Sequence, residues 1–332
     1  MLHLLLSINP SHIRLEPYIP VVNFMPLINA DEIGIKINPH GLVACLPHIA
    51  SFVGADITSG VLASGMYRGD EVSMLIDIGT NGEIVIGNKD WLVCCASSAG
   101  PAFEGGGVRA GMRAMEGTIQ RVEIDPVDYT VRYNTIGEVK PIGICGSGLI
   151  DTLTEMLRVK IIDQSGNINA AIQTERIRKT EDGLEFVLVW KKDSGIDEDI
   201  VVNQADISNL IFSKGAIYTA CVVLAKKIGL EVNDIERIYI AGGFGNYLNI
   251  EKSIMIGLLP DISRDRFKFI GNSSLTGARL CLLSDEAMNT AEEIARRMTY
   301  IELSADVDYM QEYTGALFLP HTDMGRFPSV QL

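Results

Sequence analysis

The sequence lacks the cysteine spacing of a metal-cluster protein. Neither a C-x-x-C pair nor ferredoxin-type spacing occurs among its six cysteines, which are Cys45, Cys94, Cys95, Cys145, Cys221 and Cys281. Scattered through mostly apolar stretches, they are typical of buried thiols in a reducing cytoplasm. Neighbouring strand residues point to opposite faces, so we predict that Cys94 and Cys95 do not bind one ion together.

Basic residues and long apolar runs are also scarce. Lys and Arg number 28 against 42 Asp and Glu, which gives a net charge of −14. A nucleic-acid backbone or an anionic membrane requires a basic face, so we predict neither as a partner. The longest apolar run, Gly215–Ala225, is far shorter than the roughly 20 residues that span a bilayer. The apolar start has no cationic leader, so it does not resemble a signal peptide, and we predict a cytoplasmic protein.

A glycine-rich turn between two strand-forming segments is the most informative feature that the sequence does contain. In LIDIGTNGEIVIG (residues 75–87), aliphatic residues flank a turn made of Gly79, Thr80, Asn81 and Gly82. Gly and Asn tolerate positive φ angles, so this stretch predicts a β-hairpin with a small polar tip. Such a tip brings backbone N–H groups close to a phosphate, and Asp77 can hold a metal ion through water.

Three further glycine clusters each follow a predicted strand. They are CCASSAGPAFEGGGVRAGM (94–112), PIGICGSGLIDTLTEML (141–157) and RIYIAGGFGNYLNIEKSIMIG (237–257). The second runs into an amphipathic helix, and the third predicts a strand at 238–241 and a helix that begins near Asn249. Ligands of open α/β folds bind at the carboxyl ends of strands, so we expect these turns and the hairpin to share one cleft.

Together the motifs resemble a known superfamily. DIGTNGE resembles a phosphate hairpin of the actin, heat-shock chaperone and sugar-kinase ATPases, and IYIAGGFGNYL resembles their adenosine motif. With AGPAFEGGG, CGSGLID and GNSSLTGA (271–278), they resemble the reductive activators of corrinoid proteins. Those are ATP-driven enzymes that return an inactive Co(II) corrinoid to Co(I). The resemblance implies an α/β, actin-like (ribonuclease H-like) ATPase fold with ATP and Mg²⁺ as ligands.

The resemblance also implies roles for particular residues. Asp77 would orient Mg²⁺ through its water shell, and Glu83 and Glu104 are candidates for positioning the attacking water. Glu83 also fits a solvent-facing strand position, and Asp151 also fits a residue that stabilises a helix N-terminus. The positions predicted to bind nucleotide are Gly79, Thr80, Asn81, Gly82, Gly105, Gly106, Gly146, Ser147, Gly148, Asp151, Gly242, Gly243, Phe244 and Gly245.

The order of the motifs indicates that DIGTNGE is the second of the two phosphate hairpins in such ATPases. FVGADITSGVLASG (52–65) predicts a helix, with Asp56 or Thr58 as N-cap, and resembles the helix that precedes the second hairpin. Residues 1–76 supply no first hairpin, and the iron–sulfur domain of the family is missing too. We therefore expect the C-terminal part of a longer protein, with the iron–sulfur cluster only in the missing N-terminal region.

This order also predicts the domains. We expect a remnant of a partial first lobe with the connecting helix (1–76), a complete second lobe (77–277), and C-terminal helices that pack back on the lobes (278–332). Within them, hairpins are predicted at 119–133 and at 184–190 with 199–202, and helices at 204–229, 285–297 and 304–317. Ser304 is the predicted cap of the last helix. Lys214 falls on an apolar helix face, where it either reaches the helix edge or contacts nucleotide.

The function that the resemblance implies is ATP-dependent activation of a corrinoid protein in methyl-transfer metabolism. ATP would be spent on a conformational change of the activator rather than on phosphorylating a metabolite. A small-molecule kinase of the same fold and a nucleotide-gated module that docks its partner without turnover remain as alternatives. Without a first hairpin the site is incomplete, so an upstream iron–sulfur and ATPase segment is a possible partner. In the isolated chain we expect ATP hydrolysis to be weakened more than ATP binding.

Overall fold

The structure is a computed structural model that describes residues 2–243, 248–303 and 306–332. The described strands are β1 (Ile28–Asn29), β2 (Leu42–Val43), β3 (Ser73–Ile78), β4 (Gly82–Gly87), β5 (Leu92–Ser97), β6 (Thr118–Ile124), β7 (Val131–Thr135), β8 (Gly143–Ile144), β9 (Ile177–Thr180), β10 (Gly183–Val189), β11 (Ile200–Asn203), β12 (Arg237–Ala241), β13 (Phe267–Gly271) and β14 (Met298–Tyr300). The described helices are α1 (Leu2–Leu5), α2 (Ala55–Ser64), α3 (Gly146–Arg158), α4 (Gln204–Lys227), α5 (Ile250–Met255), α6 (Ser273–Leu283), α7 (Asp285–Arg297) and α8 (Tyr309–Ala316).

A six-stranded sheet with strand order β13–β12–β3–β4–β5–β14 organises the fold. The strand β4 is antiparallel to both neighbours, whereas the other adjacent strands pair in parallel. All strands except β4 therefore end at the same edge of the sheet. The hairpin tip and the turn after β12 both lie at this edge, which is the position expected for a ligand in an α/β fold.

Alternating side chains along the central strands separate two hydrophobic cores. Met74 and Ile76 of β3 belong to the core that contains α3 and α4, and Leu75 belongs to the core that contains α2 and α7. On the latter side, α2 lies against both α6 and α7. Asp77 lies two residues after Leu75 on β3, so its side chain points to the same face of the sheet, toward α2.

Residues 98–203 form an insertion between β5 and α4. It contains two three-stranded sheets with orders β7–β6–β8 and β11–β10–β9, and α3 packs against β6. The antiparallel pairs β6–β7 and β10–β11 confirm the two predicted hairpins. The predicted glycine turn at 105–107 belongs to this insertion, and α3 contacts the short helical turn Ala102–Glu104 that precedes it.

The helix α4 is the core helix of this lobe. Among the described residues it is the one helix long and apolar enough to cross a membrane, but 83% of its most apolar window is buried inside the protein. Its start is fixed by a capping box between Asn203 and Asp206, whose side chains accept each other's backbone N–H groups. Gly229, with φ of +74°, follows its last turn as predicted.

Most of the predicted elements are present. The β3–β4 hairpin, the helix α2 and the helix α7 form where the sequence indicated them. Asn249 caps α5, because its side chain accepts a hydrogen bond from the backbone N–H of Lys252 at 3.1 Å. Cys94 and Cys95 lie in opposite cores, which confirms that they face apart.

Several local predictions are wrong. Gly54 is the N-cap of α2 and makes no side-chain cap, while Thr58 donates its hydroxyl hydrogen to the carbonyl oxygen of Pro47 at 2.9 Å. The last helix begins only at Tyr309, and the predicted cap Ser304 lies outside the described residues. Cys45 and Cys281 are half-buried, in contrast to the other four thiols.

Both expectations for Lys214 are also wrong. The side chain is 0% exposed and donates hydrogen bonds to the carbonyl oxygens of Phe318 and, at 2.7 Å, of Pro320. Burial lowers the pKa of Lys214 well below its usual value. Lys214 therefore neither reaches the helix edge nor faces a ligand, and instead ties α4 to the C-terminal segment.

Candidate functional site

The hairpin places two carboxylates side by side. Asp77 near the end of β3 pairs in register with Glu83 on β4, and on its other side with Ala241 at the end of β12. Directly opposed residues of neighbouring strands point to the same face, so both carboxylates face α2. Both are half-buried at the edge of the sheet, below the turn formed by residues 79–81.

A third carboxylate, Asp56 in the first turn of α2, acts on this pair. Burial, followed by repulsion from Asp56, raises the pKa of Asp77 to about 6. Burial, then Asp56 and then Asp77, raises the pKa of Glu83 to about 8. None of the three forms a salt bridge within the described part of the chain. The result is a cluster of acidic side chains in which Glu83 keeps its proton at neutral pH, and sites with such strongly shifted pKa values are often functional.

Glu104 is also brought to the hairpin. It follows β5 on the short helical turn Ala102–Glu104, and its Oε2 accepts a hydrogen bond from the Thr80 hydroxyl at 2.6 Å. Its Oε1 lies 3.9 Å from the position that a Cβ atom on Gly79 would occupy. The structure therefore brings the predicted residues Glu104, Gly79 and Thr80 together at the tip.

The glycine turn after Glu104 is folded tightly on itself. Gly105 has φ of +88°, and a Cβ atom there would overlap the backbone of Met112. A Cβ atom on Gly106 would lie 2.7 Å from Cγ of Pro101. These two glycines allow the close packing that fixes Glu104, whereas their predicted contact with nucleotide stays a prediction.

Gly242 follows β12 directly and packs against the end of β3. Its φ is +116°, and a Cβ atom there would collide with the carbonyl oxygen of Ile78. Within the described ranges, no heavy atom lies within 4 Å of the corresponding position on Gly243. The predicted residues Phe244 and Gly245 lie outside the described residues.

Gly146, Ser147, Gly148 and Asp151 instead hold α3 against its neighbours. All four are buried, and a Cβ atom on Gly148 would collide with the carbonyl oxygen of Ile119. Asp151 accepts hydrogen bonds from the Val122 N–H at 3.2 Å and from Lys252 Nζ at 2.9 Å. The structure gives these residues a packing role, and their contact with nucleotide also stays a prediction.

The residue that sequence reasoning missed is Asp56. It was considered only as a helix cap, and the structure shows that it makes no cap and acts electrostatically on Asp77 and Glu83. The available signal was an acidic residue in the first turn of a helix placed immediately before the hairpin. Recognising its role required the packing of α2 on the face of β3 and β4.

Two family models together match nearly the whole chain. The model for the C-terminal domain of RACo, the ASKHA domain, matches residues 71–331, and the model for the RACo middle region matches residues 1–69. The chain belongs to the RACo family. This RACo-family chain therefore has an ASKHA ATPase fold, as the hairpin and adenosine motif predicted, and family membership implies nucleotide binding. The finer division at residues 76 and 277 stays a prediction.

Curated relatives of this RACo-family chain are named for corrinoid activation. The corrinoid activation enzyme RamQ of Eubacterium limosum is 35% identical over 320 residues, which cover 94% of this chain and 53% of that protein. A Co(II) methylated amine-specific corrinoid protein reductase of Methanosarcina barkeri is 27% identical over 273 residues, covering 76% and 46% respectively. The chain thus spans about half the length of the curated relatives it matches.

A solved structure gives the same relationship. The reductive activator for corrinoid, iron-sulfur protein shares 54% sequence identity with this chain and superposes with a TM-score of 0.95. The match covers 99% of this chain and 52% of the solved chain. The predicted resemblance to reductive activators of corrinoid proteins is confirmed by this structure and by the curated relatives.

Proposed function

We propose that this chain is the nucleotide-binding part of an ATP-dependent activator that returns a Co(II) corrinoid protein to Co(I). The observation that supports nucleotide binding best is the convergence of Asp77, Glu83 and Asp56 below a hairpin tip that also holds Thr80 against Glu104. The names of the relatives support a corrinoid protein as the partner. An iron–sulfur domain in a longer protein would supply the electron.

The carboxylates fit Mg²⁺ held mainly through water. Their raised pKa values reflect burial and then mutual repulsion, and a bound divalent cation would favour their ionised forms. Among the described residues no group of three or more His, Cys, Asp or Glu could hold a metal ion alone. This agrees with Mg²⁺, which usually keeps several waters and binds one or two carboxylates together with phosphate oxygens. Asp77 would hold the ion, and bound Mg²⁺ would stabilise negative charge on the phosphates.

The hairpin tip would contact the phosphates. The side chains of Thr80 and Asn81 and the backbone N–H groups of residues 80–82 would be the donors, whereas the Gly79 N–H already donates to the carbonyl oxygen of Asn81 at 2.9 Å. Glu104 holds the Thr80 hydroxyl, and this contact orients the tip before a ligand arrives. Three carboxylates are candidates for positioning the attacking water, namely Glu83, Glu104 and Asp56.

The turn after β12 would contact the adenosine. Gly243 carries no side chain that would obstruct a flat heterocycle, and the contact of Gly242 with Ile78 sets this turn beside the hairpin. Phe244 and Gly245 complete the proposed adenosine contact. Gly105, Gly106 and residues 146–151 would support the phosphate side from behind the Glu104 turn.

One observation favours the alternative of a nucleotide-gated module without turnover. In residues 2–69, as far as they are described, β1 and β2 are the strands present, and each is two residues long. They cannot form a phosphate hairpin like that of β3 and β4. If ATP is gripped from one side only, much of the binding energy is kept while the stabilisation of the transition state is weakened.

Titration calorimetry with ATP, with and without Mg²⁺, tests the proposal. We expect binding by the chain in the high-micromolar to millimolar range, about −4 to −6 kcal/mol. Asp77→Asn should weaken Mg²⁺-dependent binding by about tenfold, which corresponds to roughly 1.4 kcal/mol. Asp90→Asn, at an exposed turn remote from the hairpin tip, is the matched control.

The results of these titrations and of a turnover assay distinguish an ATP-dependent activator from a nucleotide-gated module without turnover. ATP affinity that is indifferent both to Mg²⁺ and to Asp77→Asn would refute the assignment of the site. Measurements of phosphate release from ATP and of the absorbance of a Co(II) corrinoid protein then show whether the chain turns over ATP. Robust Mg²⁺-dependent hydrolysis by the chain alone would show that one hairpin suffices and would contradict the gated-module alternative.

A further inference from the structure

The segment that leads from β5 into the insertion, residues 97–109, lies along one face of α4. At its start the Ser97 hydroxyl donates to the carbonyl oxygen of Ala216 at 2.9 Å, and the Ser213 hydroxyl donates to the carbonyl oxygen of Ala99 at 2.6 Å. Both hydroxyl groups belong to residues that are no more than 3% exposed. Breaking either contact would leave a buried polar group unpaired, so both contacts hold the segment firmly.

Two further hydrogen bonds hold the end of the same segment. Asn209 Nδ2 donates to the carbonyl oxygen of Gly107 at 2.7 Å, and the backbone N–H of Arg109 donates to Asp206 Oδ1 at 2.8 Å. Gly107 has φ of +73°, and a Cβ atom there would lie 3.5 Å from Asn209 Nδ2. Asp206 also closes the capping box at the start of α4, so this end of the segment is fixed to the helix itself.

These four contacts form a regular pattern. The α4 positions 206, 209, 213 and 216 are three, four and three residues apart, so they share one face of the helix. Their partners follow in the opposite direction along the segment, at positions 109, 107, 99 and 97. We call the side chains of Asp206, Asn209 and Ser213 the α4 clamp. The clamp leaves residues 100–106 as a loop that is held at both ends.

This loop carries Glu104 to the hairpin tip. Inside the loop the backbone N–H groups of Glu104 and Gly106 both donate to the carbonyl oxygen of Pro101 at 2.9 Å. Phe103, next to Glu104, is 2% exposed and belongs to the core that contains α3 and α4. The loop is therefore a compact unit, and a shift of its held ends would move the Glu104 carboxylate away from its 2.6 Å contact with the Thr80 hydroxyl.

We propose that Asn209 and Ser213 are positioning residues of the ATPase site, which act by holding the Glu104 carboxylate at the hairpin tip. The inference rests on the proposed function and deepens it, because it selects Glu104 among the three candidate carboxylates as the group that orients the attacking water. Glu83 and Asp56 are carried by β4 and α2 rather than by the loop that the clamp holds.

A misplaced carboxylate impairs the chemical step more than the binding of nucleotide. The water oxygen forms a bond to the γ-phosphorus while the bond from that phosphorus to the ADP oxygen breaks, and the proton that the water releases passes through Glu104 to solvent. Glu104 accepts this proton only within hydrogen-bond reach of the water. Displacement of the loop should therefore slow hydrolysis and leave the affinity for ATP nearly unchanged.

Single-turnover phosphate release measures the two effects separately, with Mg²⁺ and with the full chain in excess over ATP labelled at its γ-phosphate. We expect Asn209→Ala and Ser213→Ala to lower the limiting rate about tenfold and to change the half-saturating chain concentration by less than about twofold. Ser213→Thr keeps the hydroxyl and should restore most of the rate. The matched controls are Ser208→Ala, whose hydroxyl donates to the carbonyl oxygen of Gln204 within α4, and the exposed Asn289→Ala.

Combination with Glu104→Gln shows whether the clamp acts through Glu104. Glu104→Gln alone should lower the limiting rate, and adding Asn209→Ala should cause no further loss, because the effects of residues that act through one group do not add. Independent effects, or equal changes in rate and half-saturation, would reduce the clamp to a packing role and overturn the proposal. Circular dichroism verifies folding, and the half-buried Asn209 keeps the test valid if the buried Ser213→Ala variant does not fold.

The results also separate this inference from the proposed function. ATP that binds in the calorimetric titrations but releases no phosphate in the single-turnover assay would overturn the role of the clamp and leave nucleotide binding standing. Phosphate release that Asn209→Ala and Ser213→Ala leave unchanged would overturn the role of the clamp alone. Failure of ATP to bind would refute both the clamp and the proposed function.

Discussion

Removing the carboxylate of Glu83 is expected to flatten the dependence of folding stability on pH. The folded protein holds the Glu83 pKa at about 8, compared with an ordinary value of 4.5. Between these two values the folded state keeps a proton that the unfolded state has released. Stability therefore falls as pH rises toward 8 and then levels off. The free energy of unfolding changes by about 1.4 kcal/mol per pH unit for one such group.

The stabilities of the wild type and of Glu83→Gln should differ most clearly in their change between pH 6.5 and pH 9. Asp77, with a pKa of about 6, is already largely ionised at pH 6.5, so the remaining change in this region comes from Glu83. We expect the wild type to lose about 2 kcal/mol more than Glu83→Gln over this interval. Urea unfolding at the two pH values measures the difference, with the exposed Glu175→Gln as control.

Parallel pH profiles for wild type and Glu83→Gln would refute this reasoning, because they would show that Glu83 ionises freely. Mg²⁺ with ADP extends the test to the proposed site. A bound divalent cation favours the ionised carboxylates, so the affinity for Mg²⁺-ADP should rise with pH in the wild type. This rise should be smaller in Glu83→Gln if the cation lies near that side chain.

Two further variants test how the surroundings of the site are held. Lys252→Met removes the contact of 2.9 Å between Lys252 Nζ and the buried Asp151 carboxylate, so the free energy of unfolding should fall by about 3–5 kcal/mol. The surface control Lys192→Met should leave it unchanged. Equal stability of the two variants would show that Arg121, whose Nη1 lies 3.7 Å from Asp151 Oδ1, alone compensates Asp151. Lys214→Met removes the donor to the Phe318 and Pro320 carbonyls, so limited proteolysis of the C-terminal segment should accelerate relative to the exposed Lys36→Met. Unchanged cleavage would contradict the tie between α4 and this segment.

The hairpin could be predicted from sequence because its information is local. The β-branched flanks and the Gly and Asn of the turn specify β3 and β4 without reference to the rest of the chain. The same holds for α7, whose apolar period and flanking Ser284 define it within a few residues. Convergence of the Glu104 turn on the hairpin was also predictable, since both follow strands that end at one edge.

The charge state of the site could not be predicted, because it depends on packing between distant segments. Asp56 lies 21 positions before Asp77, and only the packing of α2 on the sheet brings its charge to bear on Asp77 and Glu83. The partner of Asp151 could not be predicted for the same reason, since Lys252 is 101 positions away. Lys214 looked like an exception on an apolar face because the carbonyls that it binds belong to the C-terminal segment.

The same packing joins the proposed nucleotide site to the middle region. Asp56 lies within residues 1–69, whereas Asp77 and Glu83 lie within the ASKHA domain. A displacement of α2 from the sheet would lengthen the separation of Asp56 from Glu83, lower the Glu83 pKa and so alter the charge presented to Mg²⁺.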